Sequence, residues 1–268
     1  MTSDGYALAD VAFEPERERL DILESLNDPA SVAWLTRLGI SEGWRCLDVG
    51  AGGGSVARWM AERVGANGTV VAADMDTRFL RALDLPNVEI RQLDILEDDI
   101  ETDHYDLVHA RFLLMHVSSP ERALANMVAA IKPGGWLLVE DGDYTNFAAV
   151  DRDHALSAVF DATFRKEMAY YVASLQLDPL IGRKLPALVK RLELSDVDHE
   201  DKNWVRAGGG DIGKYWETLL RSFQDDEFLR GAGISEADFE KQIQAFNDPS
   251  FRFADMAVFA AWGRKPEA

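Results

Sequence analysis

The sequence predicts an α/β protein on a doubly wound, Rossmann-like parallel sheet, and three observations carry that expectation. Short apolar runs alternate with helical stretches from Trp44 to about Asp141, the pattern of repeated βαβ units. The first apolar run ends in a cluster of glycines just before a helix, and two later runs end in an aspartate. Strand ends of this kind are where such sheets hold ligands.

The elements follow in order. Leu20, Leu23 and Leu26 recur among charges and predict a helix over Glu14–Asn27, ended by Asp28-Pro29. A short helix is expected over Ala30–Leu38, with Trp34 and Leu38 on one face, and Gly39 and Gly43 bracket a turn. WRCLDVG reads as the first strand, SVARWMAERVG as a helix ended by Gly65, and TVVAAD as the second strand. A short helix around Arg78–Leu83 precedes a third strand, VEIRQLD, and YDLVHA makes a fourth. Ser119 and Pro120 open a helix as N-cap and first residue, running to Ile131. Pro133-Gly134-Gly135 then turns into WLLVED, the fifth strand. Further on, helices are expected over Asp151–Ala173, Gly182–Leu192, Gly213–Arg230 and Ser235–Phe246, the last with a Ser235…Asp238 capping pair. Asp196–Arg206 reads as a strand, FRFADMAVFAAWGRK as a closing strand, and Gly208–Gly210 as a hinge.

Composition narrows the function classes. The 268 residues are long enough to bury a sizeable core, and 47% hydrophobic content excludes global disorder. A net charge of −19 disfavours nucleic-acid and anionic-membrane partners, which such a surface repels. Cys46 is the sole cysteine, and the five histidines lack metal-ligand spacing, so no disulfide and no metal site are expected. No apolar run approaches the roughly 18 residues of a membrane span, and the N-terminus lacks a signal-peptide pattern. The expectation is a cytoplasmic protein, a monomer or homodimer, acting on a small-molecule substrate.

The informative segment is LDVGAGGGSVARWM, residues 47–60. Asp48 ends a strand, glycines stand at 50, 52, 53 and 54, and a helix follows. Glycines permit positive φ and close approach of a ligand to the backbone, while the helix start offers N–H groups. A G-x-G-x-x-G dinucleotide fingerprint would need its third glycine where Ser55 stands. Asp74 ends the second strand, where a carboxylate can accept two ribose hydroxyls. Asp94 ends the third, where a side chain can reach an adenine amino group.

With LDVGAGGGSV, VVAADMD, RQLDIL, YDLVHARFLLMHV and IKPGGWLLVED in order, the chain resembles the class I S-adenosylmethionine-dependent methyltransferases, bacterial small-molecule ones above all. The resemblance is strong over about residues 40–145. It implies a seven-stranded sheet, six strands parallel and one antiparallel, with an N-terminal helical segment (1–40). The methyltransferase domain would span 41–268, with a helical cap inserted at about 205–248. It implies S-adenosylmethionine as cofactor, with Gly50, Gly52 and Gly54 under the methionine moiety and Asp48 ordering the turn. Asp74 would bind the ribose, Met75 would pack on adenine, Asp94 and Ile95 would clasp the adenine edge, and Ala110 and Arg111 would approach the methionine end. Tyr6 would close over the cofactor.

For the acceptor side, His116 after the fourth strand is the first candidate for a base or substrate contact, and Asp141 the second. Asp143, Tyr144, Trp204, Tyr215 and Trp216 are candidate substrate contacts, and the aromatic residues from Trp204 onward point to a hydrophobic or aromatic metabolite. The reaction expected is methyl transfer, to oxygen before carbon or nitrogen. The alternatives are a non-methylating enzyme that keeps the cofactor (cyclisation, rearrangement or removal of a substituent), an NAD-dependent oxidoreductase, and a binding module. The oxidoreductase is disfavoured by Ser55 and by the absence of any Tyr followed four residues later by Lys.

Overall fold

A computed structural model describes residues 13–174, 177–223 and 225–267. In chain order the first half carries α1 (Phe13–Arg37), β1 (Arg45–Val49), α2 (Ser55–Val64), β2 (Thr69–Asp74), β3 (Val88–Gln92), β4 (Tyr105–Arg111), α3 (Pro120–Ala130) and β5 (Ile131–Asp143). The second half carries β6 (Ala148–Ala149), α4 (Ser157–Ser174), α5 (Ile181–Lys190), β7 (Ser195–Lys202), β8 (Val205–Ala207) and α6 (Gly210–Phe223). It closes with α7 (Asp226–Ala232), α8 (Glu236–Asn247), β9 (Arg252–Ala254) and β10 (Ala257–Arg264).

The chain forms two compact units. The sheet unit comprises Glu24–Gly142, Ile181–Asp201 and the residues from Val258 onward. It holds a seven-stranded sheet of order β3-β2-β1-β4-β5-β10-β7, six strands parallel and one antiparallel. Strands β1, β2 and β4 are buried along nearly their whole length, as expected of parallel strands covered on both faces. Edge strand β3 instead leaves Glu89 and Ile90 exposed. The register sets Asp48 of β1 beside His109 of β4, and Arg111 beside Glu140 of β5.

The aromatic unit comprises the described residues up to Leu23, Asp143–Leu180 and Lys202–Ala257. The stretch 205–248 marked in the sequence lies wholly inside it. Helices α4, α6, α7 and α8 accompany a small antiparallel sheet of order β6-β9-β8. Its core is largely aromatic: Phe147, Phe160, Phe164, Trp216, Phe246 and Phe253 pack together. The Phe147 and Phe164 rings stack with centroids 4.0 Å apart.

Several expectations are corrected. Residues 13–37 make one helix through Pro29 rather than two. Proline removes one hydrogen bond and crowds the preceding turn, but Leu20 before it and Trp34 and Leu35 after it are all buried, and that burial holds the helix continuous. The strand expected over 196–206 is two, β7 and β8, in different sheets. The closing strand is likewise two, parted at Asp255-Met256, and the helix expected over 213–230 is α6 and α7. Gly208–Gly210 is no open hinge: the Gly208 N–H donates to the Phe251 carbonyl at 3.0 Å and the Gly209 N–H to that of Phe246 at 2.7 Å. A Cβ at Gly208 would collide with the carbonyls of Ala245 and Asp248.

Candidate functional site

Strand β1 runs into a loop in which Gly50, Gly52 and Gly54 all take positive φ, 71°, 57° and 87°. At Gly54 a side chain would also strike Leu83, so glycine serves both conformation and space. Asp74, at the end of β2, reaches into this loop. Its Oδ2 accepts the Gly52 N–H and its Oδ1 the Asp76 N–H, each at 2.9 Å. Burial pushes the Asp74 carboxyl above its ordinary range, against the pull of these two hydrogen bonds. Met75 beside it is half exposed, an apolar surface at the rim of the site. Asp94, two residues past β3, accepts the Leu96 N–H at 2.8 Å, and Ile95 is buried. The glycine loop and three acids therefore gather at the carboxyl ends of the neighbouring strands β1, β2 and β3.

Helix α1 adds residues that the sequence reading missed. Glu24, Asp28 and Ser31 stand at i, i+4 and i+7 on one helix face. Glu24 accepts the Ser55 N–H at 3.4 Å, and a Cβ at Gly53 would collide with its carboxylate. Asp28 accepts the Ser55 hydroxyl at 2.9 Å and pairs with Arg111, also at 2.9 Å. The start of α2 thus already faces two carboxylates. A dinucleotide sets its pyrophosphate against such a helix start. Here Glu24 and Asp28, the latter paired with Arg111, already take the donors at that helix start. Two acids four apart on a helix rich in charges carry no signal of their own, and only the fold aims them at the loop.

Behind the loop lies a fully buried ion cluster. His109 Nδ1 stands 2.7 Å from Asp48 Oδ1, and its Nε2 stands 3.0 Å from Glu140 Oε1. Burial alone would push the imidazole down, and the two carboxylates outweigh it, raising its pKa to about 9. Glu140 Oε2 accepts the Ser31 hydroxyl at 2.7 Å, and Arg111 donates to the same hydroxyl at 2.9 Å. The available signal was a histidine within an otherwise apolar strand, beside a strand that ends in Asp48.

After β4 the chain turns sharply. Ala110 is buried and Arg111 is half-buried at the strand end. Phe112 takes φ 54°, a strained value for a bulky residue and one that recurs at functional sites. A single 3-10 turn, Leu114–His116, follows and presents His116 half-buried. Asp141 is fully buried, and its two oxygens accept the Met115 N–H at 3.1 Å and the Gly142 N–H at 2.9 Å. Its carboxylate is engaged in holding the turn that carries His116.

The other candidates belong to the aromatic unit. Asp143 is buried and accepts both the N–H and the hydroxyl of Thr145, at 2.8 and 2.6 Å. Tyr144 stacks toward Phe164 at 6.4 Å. Trp204 is half-buried beneath the Arg206 guanidinium, 4.9 Å from its ring centre. Tyr215 and Trp216, expected to line a substrate mouth, are instead buried in the aromatic core. Aromatic residues at helical spacing on α6 served packing. Tyr6 lies outside the described residues. Among the described residues, no group of His, Cys, Asp and Glu could hold a metal ion, and no helix is long and apolar enough to cross a membrane.

Comparison with known proteins identifies the family and the shared fold. The methyltransferase-domain family matches residues 16–171. Methyltransferase str2 of Strobilurus tenacellus is 30% identical over 190 residues, 70% of this chain and 66% of that protein. The chain thus spans about two thirds of that relative's length. Among solved structures, phosphoethanolamine N-methyltransferase 2 of Haemonchus contortus, in complex with S-adenosylhomocysteine, aligns with a TM-score of 0.61 at 18% identity. That match covers all of this chain and 61% of that one. The cyclase SpnF aligns with a TM-score of 0.55 at 17% identity, covering 90% and 86%. These structural likenesses show the shared fold. A match over more than half of its length shows that the chain belongs to the methyltransferase-domain family, whose cofactor is S-adenosylmethionine.

Proposed function

We propose that the chain transfers a methyl group from S-adenosylmethionine to a small apolar or aromatic metabolite, with oxygen the first acceptor to test. The observation that carries the cofactor half is the pair Glu24 and Asp28 at the start of α2. Together with the acids at strand ends, they suit an adenosyl amino acid better than a dinucleotide with its pyrophosphate. When bound, S-adenosylmethionine supplies an electrophilic methyl on a sulfonium.

The chain's own residues then have distinct tasks. Gly50, Gly52 and Gly54 let the backbone lie close under the amino-acid end of the ligand, near Ala110 and Arg111. Asp74 has lone pairs beyond its two backbone bonds with which to accept ribose hydroxyls. Met75 and Ile95 offer apolar contact to adenine, and Asp94 an acceptor for its amino group. Displacement at a methyl group depends mainly on orientation, and a hydroxyl acceptor also gains from a nearby base. His116 is the residue proposed for that base, with Asp141 fixing its turn.

The test is mass spectrometry after incubation with methyl-labelled S-adenosylmethionine and a panel of phenols, hydroxyquinones and amines. The expected product gains one labelled CH2 unit. A product of unchanged mass would replace methyl transfer with the cyclisation or rearrangement reading. No product from any acceptor, with the cofactor still bound, would favour a binding module.

A further inference from the structure

His109 lies inside β4 with its side chain 1% exposed, and no step proposed above uses it. Its two ring nitrogens meet carboxylates from two different strands, Asp48 of β1 and Glu140 of β5. A neutral imidazole has one N–H and would turn a bare nitrogen toward one of them, whereas the doubly protonated ring satisfies both. An unpaired buried carboxylate would be costly, and the ring pKa, raised to about 9, keeps the proton in place at neutral pH.

Two arms lead from the ring. Asp48 stands two residues before Gly50, at the entry to the glycine loop. In the other direction Glu140 accepts from Ser31 of α1, and the Ser31 hydroxyl accepts from Arg111. Arg111 then pairs with Asp28, which accepts the Ser55 hydroxyl at the exit of the same loop. The charged groups facing the ring directly are Asp48 and Glu140, with Arg111 and Asp28 further out along the second arm.

We propose that His109 is a positioning residue for the cofactor: by joining Asp48 to Glu140 it closes a ring of hydrogen bonds that begins at the entry of the glycine loop and ends at its exit. The loop shape that receives S-adenosylmethionine is then set by a side chain that does not touch it. This rests on the reading that the loop at residues 49–54 receives that cofactor.

Linkage supplies a test independent of turnover. If the protonated ring holds the loop in its binding shape, the ligand must in turn favour the protonated ring. The experiment follows the His109 imidazole by nuclear magnetic resonance across pH, with and without saturating S-adenosylhomocysteine. Both nitrogens should carry protons at neutral pH, and the ligand should raise the midpoint by about one unit for a tenfold affinity difference between the two ring states. A neutral ring at neutral pH, or a midpoint that ignores the ligand, overturns the proposal and leaves the cofactor reading standing. Failure of the intact protein to bind S-adenosylhomocysteine at all overturns that reading and the proposal with it. A second probe is Ser31→Ala, which cuts the far arm at a single hydroxyl. It should weaken S-adenosylhomocysteine several-fold and shrink the ligand-induced shift, and unchanged values for both would contradict the closed ring.

Discussion

The two units bury their interiors by different chemistry. The sheet unit places charge at its centre, with Asp48, His109 and Glu140 all buried among apolar strands. The aromatic unit gathers Phe147, Phe160, Phe164, Phe246, Phe251 and Phe253 in one cluster. An aromatic cluster gains from burial in proportion to area, with a preference for stacked or edge-to-face rings. A buried ion cluster contributes little net stability but demands one geometry. The contrast teaches that the sheet unit is organised for a defined ligand shape, and the aromatic unit for cohesion.

Substitutions can break this contrast from either side. The largest effect is expected at Phe160, fully buried and in ring contact with Phe147, Phe246 and Phe251. Phe160→Ala should cost about 3–5 kcal/mol in urea unfolding, and a loss under about 1 kcal/mol would show the cluster to be loosely packed.

The aromatic unit also buries charged side chains, Asp143, Glu167 and Asp255 among them. Asp255 is buried, and burial pushes its pKa up to about 6 despite the Arg206 guanidinium 3.2 Å away. A raised carboxyl favours the folded state while protonated. Its contribution is therefore complete below the unfolded value near 3.8 and lost as pH rises to about 6, roughly 3 kcal/mol in all. His109 carries the same sign in a higher window, lost as pH rises from 6.5 to about 9. Chemical denaturation at stepped pH should show Asp255→Asn removing the lower slope and sparing the upper one. Identical slopes in the variant and the parent would contradict the assignment.

Effects on the cofactor loop and on the proposed base should appear in the sheet unit. His116→Ala is expected to cut turnover about 10²-fold with cofactor affinity unchanged; full turnover would make His116 structural. Asp74→Ala should weaken S-adenosylhomocysteine about tenfold, or about 1.4 kcal/mol. Because Asp74 also ties down Gly52, Asp74→Asn should recover part of that loss, and equal affinity in all three proteins would remove Asp74 from the ribose site.

What could be read from the sequence follows the same division. Asp48, the glycines, Asp74 and Asp94 were legible because each belongs to a short contiguous strand-end motif whose place in a parallel sheet is fixed. The ring through Ser31, Asp48, His109 and Glu140 was not, since its partners are up to 109 positions apart and only strand register joins them. The passage of α1 through Pro29 depends on burial at both ends of the helix, which local propensity does not contain. Tyr215 and Trp216 looked like ligand contacts because an aromatic residue on a helix has the same spacing whether it faces a core or a cleft. The parting of β7 from β8 at Asn203-Trp204 leaves no break in the pattern, so two sheets read as one strand.

The central claim is that the glycine loop and the acidic groups around it select an adenosyl amino acid over a dinucleotide with its pyrophosphate. Calorimetric titration of the protein with S-adenosylmethionine, S-adenosylhomocysteine and NAD tests it most directly. Binding of the two adenosyl compounds, with no heat from NAD, is the expected result. Preference for NAD would contradict it, and would mean that Glu24 and Asp28 do not govern the start of α2.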